Sequence, residues 1–266
     1  VIKLMKVVIL AGGFGSRLSE ETIDKPKPMV EVGLKPIICH IMQLYSHYGF
    51  NEFIICAGYK SNYIKSYFNE YMMNLHDITF DFKKNLKTYH KKKVDPWNIT
   101  IVDTGLNTNT GGRIKKIKKF LGDDDNFFMT YGDGVSDVNI KKLLDNHLKS
   151  NKIGTVTAVL PKAKYGTLNF NLRGKLESFK EKPQGEGGWV NGGFFVLNKK
   201  IFKYIKNDRT IFEHEPLNSL AKENQLNAYF HKDFWQSMDT LRDKNYLNQL
   251  LENDKADWQV WKKNKK

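Results

Sequence analysis

The sequence predicts an α/β fold: a mixed, mostly parallel sheet covered by helices on both faces, with small insertions. Three observations carry that prediction. Short apolar runs without polar alternation, at 6–11, 53–57 and 127–131, read as strands buried on both faces. Segments with apolar residues at helical spacing, such as Ile37, Ile41, Leu44 and Tyr48, lie between them. Each run also ends directly on a glycine: Gly12, Gly58 or Gly132. Strands that alternate with helices and open onto tight turns build a parallel sheet.

Taken in order, residues 6–11 form the first strand, 37–49 a helix, 53–57 a strand and 61–74 a helix. Strands follow at 99–103 and 127–131, a helix at 140–149 and a strand at 155–160. The second half is richer in strand, at 167–170, 176–179 and 193–197. Residues 201–205, 217–223 and 240–252 read as helices. Residues 75–98 are basic and poorly patterned, which suggests an insertion. Residues 253–266 form a tail whose Trp258 and Trp261 are expected to pack on the body or on a partner subunit. No repeat or low-complexity linker interrupts the chain, so 5–266 is read as one domain.

Composition narrows the function classes. Of 266 residues, 40% are hydrophobic and 27% charged, which excludes fibrous and wholly disordered chains. Cys39 and Cys56 are the only cysteines, so a disulfide framework and a cysteine zinc site are both excluded. No apolar run reaches the roughly 18 residues of a membrane span, and the first residues lack a signal-peptide pattern. A cytoplasmic protein without membrane contact is expected. The formal charge of +14 admits a nucleic-acid partner, but no nucleic-acid-binding motif accompanies the lysine runs, and none is expected. The seven histidines share no triad or zinc spacing.

The chemistry-bearing residues begin where the first strand ends. Leu10 and Ala11 run into Gly12-Gly13-Phe14-Gly15-Ser16-Arg17-Leu18. Glycines let backbone N–H groups approach phosphate oxygens, and Arg17 adds a fixed positive fork. The spacing is neither a dinucleotide fingerprint nor a P-loop. Lys25-Pro26-Lys27-Pro28 follows, its prolines presenting two lysines on an extended backbone. Such a loop suits a polyphosphate. Asp133, between Gly132 and Gly134 at a strand end, is accessible to a hard cation such as magnesium. Asp239 is the second candidate ligand. Asp103, Asp123 to Asp125 and Asp137 are further carboxylates, of which the triple Asp reads as a structural helix-end or loop cluster. Glu181-Lys182 and Asn191-Gly192 offer a cation for a phosphate and polar groups for sugar hydroxyls.

Gly-Gly-x-Gly-Ser-Arg-Leu followed by Lys-Pro-Lys-Pro resembles the signature of the sugar-phosphate nucleotidylyltransferases. The likeness runs from Met5 to about Trp261. It includes Pro96-Trp97-Asn98, Thr110-Gly111-Gly112-Arg113 and Asp239-Thr240-Leu241-Arg242-Asp243, which are similar to the branch that joins CTP to glucose 1-phosphate. The resemblance implies a Rossmann-like sheet of the nucleotidyltransferase type and a reaction yielding CDP-glucose and pyrophosphate. It implies Arg17 and Lys27 as catalytic residues, and Asp133 and Asp239 as ligands of Mg2+. Nucleotide contacts would fall on Leu10, Ala11, Gly12, Gly13, Gly15, Ser16, Arg17, Lys27, Thr108, Arg113 and Gly132. Sugar-phosphate contacts would fall on Tyr165, Gly166, Glu181, Lys182, Asn191 and Gly192. A homo-oligomer, a hexamer, is also implied, in a cytoplasmic step toward surface polysaccharide. Two alternatives stay open: the same chemistry with UTP, dTTP or another sugar phosphate, and a non-catalytic nucleotide-sensing relative. The presence of Arg17, Lys27, Asp133 and Asp239 together weighs against the second.

Overall fold

Val7–Ala11 forms strand β1, and all five of its side chains are buried. Their alternation assigns them to two cores. Val7, Ile9 and Ala11 join one apolar cluster, while Val8 and Leu10 join the other. A strand buried on both faces belongs in the middle of a sheet covered by helices. The structure is a computed structural model, and it describes residues 5–90, 94–161, 167–170, 175–180 and 188–263.

The remaining strands of the main sheet are β2 (Glu52–Ala57), β3 (Asn98–Asp103), β4 (Asn126–Tyr131), β5 (Gly154–Val159), β6 (Val190–Asn198) and β7 (Leu226–His231). Their spatial order is β7-β5-β6-β4-β1-β2-β3. Parallel pairing joins β1 to β2, β1 to β4, β2 to β3 and β5 to β7. Only β6 runs against its neighbours, β4 and β5. The chain order reverses beside β1, and such a switch point opens a crevice at the carboxyl ends of the strands.

The helices longer than one turn are α1 (Ile37–His47), α2 (Ser61–Leu75), α3 (Thr110–Lys116), α4 (Ile140–Ser150), α5 (Glu215–Lys222) and α6 (Leu241–Glu252). On one face Ile37, Ile41, Leu44 and Tyr45 of α1 pack with Phe53, Phe128 and Phe194 of the sheet. On the other, Ile114 and Leu220 pack with Ile54, Phe127 and Phe195. Each of these fully buried side chains contributes roughly 1.5–3 kcal/mol through burial. No helix among the described residues is long and apolar enough to cross a membrane.

Several local expectations change. Residues 201–205 are not α-helical; a 3₁₀ turn covers Lys199–Tyr204 instead, started by Asn198, whose side chain accepts the Lys200 N–H. Residues 75–98 contain an antiparallel hairpin, Ile78–Asp81 with Leu86–Tyr89. Its far end is tied to the body: Trp97 Nε1 donates to Ser46 at 2.7 Å, and Tyr71 donates to Asp95 at 2.7 Å. Strand β7, a parallel edge, is an addition to the expected elements. The tail packs on the body. Trp258 is buried against Phe234, and its indole N–H donates to His40 at 3.3 Å.

Candidate active site

Beyond β1 the chain enters the glycine loop, where Gly15 has φ +68°, a conformation that strains any residue with a Cβ. Ser16–Leu18 then forms a 3₁₀ turn, and Thr22 anchors it by donating to the Leu18 carbonyl at 3.0 Å. This places Arg17 at the mouth of a cleft, with its side chain 71% exposed. Pro26 is extended (φ −71°, ψ 151°), and Lys27–Met29 closes a second 3₁₀ turn. Pro28 and Met29 are buried, so the turn is held from behind while Lys27 Nζ reaches into the cleft.

The cleft, about 860 Å³, lies at the carboxyl ends of β1 and β4. Leu10, Ala11, Gly12, Gly13, Gly15, Ser16, Arg17, Lys27, Thr108, Arg113, Gly132, Asp133, Asn191, Gly192 and Asp239 all line it. Lys25 does not. Tyr165, Gly166, Glu181 and Lys182 lie outside the described residues.

Asp133 and Asp239 are brought together by a two-stranded ribbon. Gly134–Ser136 pairs antiparallel with Trp235–Ser237, and Met238 N–H donates to the Asp133 carbonyl at 2.8 Å. The cap of α6 then fixes the second carboxylate. Asp243 and Thr240 form a reciprocal capping box, and Asp243 Oδ2 also accepts the Asp239 backbone N–H at 3.0 Å. Lys27 Nζ sits 2.6 Å from Asp133 Oδ2 and 2.7 Å from Asp239 Oδ1. Arg17 reaches the same Asp239 oxygen at 2.8 Å. Burial works to raise the Asp239 carboxyl, but Lys27, Arg17 and the Ser237 hydroxyl outweigh it and hold the group below the usual range.

Arg113 lines the cleft and also braces the backbone around it. Its guanidinium is buried and donates to the carbonyls of Gly12 (2.9 Å), Gly105 (2.8 Å), Ala57 (3.3 Å) and Leu106 (3.3 Å), and to Thr104 Oγ1 (2.6 Å). A Cβ on Gly12 would meet its Nη1 at 2.1 Å. Arg113 is therefore a strut behind the glycine loop. Thr108, also mostly buried, accepts from Lys116 at 3.2 Å.

One polar network escaped the sequence reading. Tyr131 donates to Glu213 at 2.6 Å, Thr110 donates to the other Glu213 oxygen at 2.6 Å, and Asn191 donates to Tyr131 at 3.2 Å. It links the Thr110 loop to the Asn191 end of the cleft. Glu213 belongs to no phosphate or metal motif; its signal was its place just before the Glu215-Pro216 helix start. Trp235 was missed likewise, and its indole donates to the Gly192 carbonyl at 2.8 Å.

Residues 6–252 match the Nucleotidyl transferase family. The chain belongs to the nucleotidyl transferase family. It is 52% identical over 257 residues to a glucose-1-phosphate cytidylyltransferase of Salmonella typhimurium, covering 97% of this chain and 100% of that protein. The crystal structure of HddC from Yersinia pseudotuberculosis superposes with a TM-score of 0.65 at 25% identity, covering 93% of this chain and 99% of the other. A UDP-glucose pyrophosphorylase complexed with UDP-glucose shares the fold, with a TM-score of 0.67 at 17% identity, covering 94% and 99%.

In this nucleotidyl transferase the cleft joins a backbone cradle, two cationic side chains and a carboxylate pair. The donor set fits a magnesium ion: two hard carboxylates meet in one cleft beside the glycine loop. Magnesium takes one or two protein carboxylates and keeps its other positions for water and phosphate.

Proposed function

We propose that the protein transfers the cytidylyl group of CTP to α-D-glucose 1-phosphate, giving CDP-glucose and pyrophosphate. The observation that carries this reading is the meeting of the glycine loop, Lys27 and the Asp133–Asp239 pair in one cleft. The full-length likeness to a glucose-1-phosphate cytidylyltransferase supports the choice of substrates.

The attacking group is a phosphate oxygen of glucose 1-phosphate. It is already anionic, so no protein base is required. Catalysis is then positioning and charge neutralisation. The loop from Gly12 to Ser16 and Arg17 hold the β- and γ-phosphates, which leave as pyrophosphate. Lys27 neutralises charge at the α-phosphate as the bond to the sugar phosphate forms. Leu10, Ala11, Thr108 and Gly132 border the nucleoside, with Arg113 holding the loop from behind. Asn191 and Gly192, with Tyr165, Gly166, Glu181 and Lys182, take the sugar phosphate. Asp133 and Asp239 would hold Mg2+, which when bound neutralises phosphate charge and helps align the reacting groups. The enzyme is expected to work in the cytoplasm as a homo-oligomer, a hexamer, which sedimentation velocity would test.

The test is pyrophosphate release with magnesium and glucose 1-phosphate, with CTP, UTP, dTTP, ATP and GTP offered in parallel. Strong preference for CTP is expected. Preference for another nucleotide would keep the chemistry and overturn the base assignment. No release with any nucleotide, across several sugar phosphates, would overturn the catalytic reading.

A further inference from the structure

Lys27 contacts both aspartates at once. An ammonium offers three donors and no acceptor, and Lys27 directs two short contacts at carboxylates from two distant parts of the chain. Its side chain is 10% exposed, against 71% for Arg17, so the better-shielded cation stands between the carboxylates. A magnesium ion needs oxygen ligands at about 2.0–2.1 Å, and the ammonium already fills the gap it would use. The turn Lys27–Met29 is fixed by buried prolines on either side of Lys27. The four-carbon side chain supplies the freedom by which the ammonium can change partners. The glycine loop lines the same cleft, so a phosphate held there would be within the same space as the Lys27 ammonium.

We infer that Lys27 is a resident counter-cation, keeping the Asp133–Asp239 pair closed to free divalent metal until a nucleoside triphosphate draws its ammonium onto phosphate. The inference rests on the proposed function in taking the two aspartates as metal ligands. Lys27 then has two successive positions, on the aspartates without nucleotide and on phosphate with it. Metal and nucleotide consequently bind with positive coupling, because each favours the state in which Lys27 has left the carboxylates. Metal enters as the metal–nucleotide complex rather than in advance of it.

The probe is Mn2+, followed by the electron paramagnetic resonance signal of the free ion. Nucleotide-free wild type is expected to leave Mn2+ free. Lys27→Met is expected to bind one ion at least about tenfold more tightly, since a neighbouring positive charge has been removed. Lys27→Met/Asp239→Asn should lose the gained site. Wild type with α,β-methylene-CTP should bind Mn2+ beyond what the analogue binds alone. Circular dichroism melts and Lys27→Gln guard against a variant that fails to fold. Tight Mn2+ binding by nucleotide-free wild type, equal to that of Lys27→Met, would overturn the inference whatever the variants do. Failure of the underlying reading looks different: Asp239→Asn with the analogue would then bind Mn2+ as well as wild type does.

Discussion

The Arg113 guanidinium donates to the carbonyl oxygen of Gly12 at 2.9 Å, although the two residues lie 101 positions apart. The contact ties the first turn of the glycine loop to α3. Arg113→Lys keeps the charge, but a single ammonium cannot reach the acceptors that the planar fork spans. Buried carbonyls left unpaired should lower stability by about 2–4 kcal/mol. A displaced loop should raise the KM for CTP. A thermal melt and a CTP titration check both effects, and an unchanged KM with a lowered Tm would confine Arg113 to stability.

Asp239→Asn should leave the fold intact, because the Asp239 backbone is held by Asp243 and the α6 cap persists. Turnover should fall by at least about 100-fold, the scale of losing one preorganised electrostatic group. Steady-state kinetics beside a melting curve is the check. Near-normal turnover would remove Asp239 from the site.

Acid should destabilise the protein through two buried histidines. Burial lowers His40 to about 4, despite its bond to the Val32 carbonyl, and burial lowers His147 to about 4. Both stay neutral in the native state, whereas the unfolded chain takes up protons below about 6.5. The contribution of these two histidines is therefore full above pH 7 and falls as pH drops from about 6.5 toward 4. The loss is on the order of 2 kcal/mol per histidine between pH 7 and 5. Urea melts across that range test it, and His147→Gln should flatten the slope.

Trp258→Ala should cost about 3–5 kcal/mol, the usual price range of removing a large buried aromatic. It also removes the donor to His40 and the stack on Phe234. Equilibrium unfolding measures the loss; a change below about 1 kcal/mol would show that the tail is not part of the cooperative core.

Much of this was legible in the chain because the signal was local. The run Val7–Ala11 announces a central strand, and the glycines after it announce a turn at a ligand end. What was hidden depends on distance in sequence. Lys27 meets Asp133 across 106 residues and Asp239 across 212, and no spacing rule relates them. The bracing contacts of Arg113 were hidden because a Gly-Gly-Arg motif shows the residue type but not its burial. Residues 75–98 looked unpatterned because both hairpin strands are largely exposed, so no apolar alternation was imposed on them.

The ribbon that pairs Gly134–Ser136 with Trp235–Ser237 divides the chain into places where length is fixed and places where it is free. Side chains along a strand alternate faces, so one residue added between Trp235 and Asp239 would turn the second carboxylate away from the first. The hairpin tip at 82–85 carries no such constraint: it is exposed, belongs to a separate two-stranded sheet and does not line the cleft. A fluorescent reporter or affinity handle grafted there should leave the reaction untouched, while a single-residue graft at 236 should silence it.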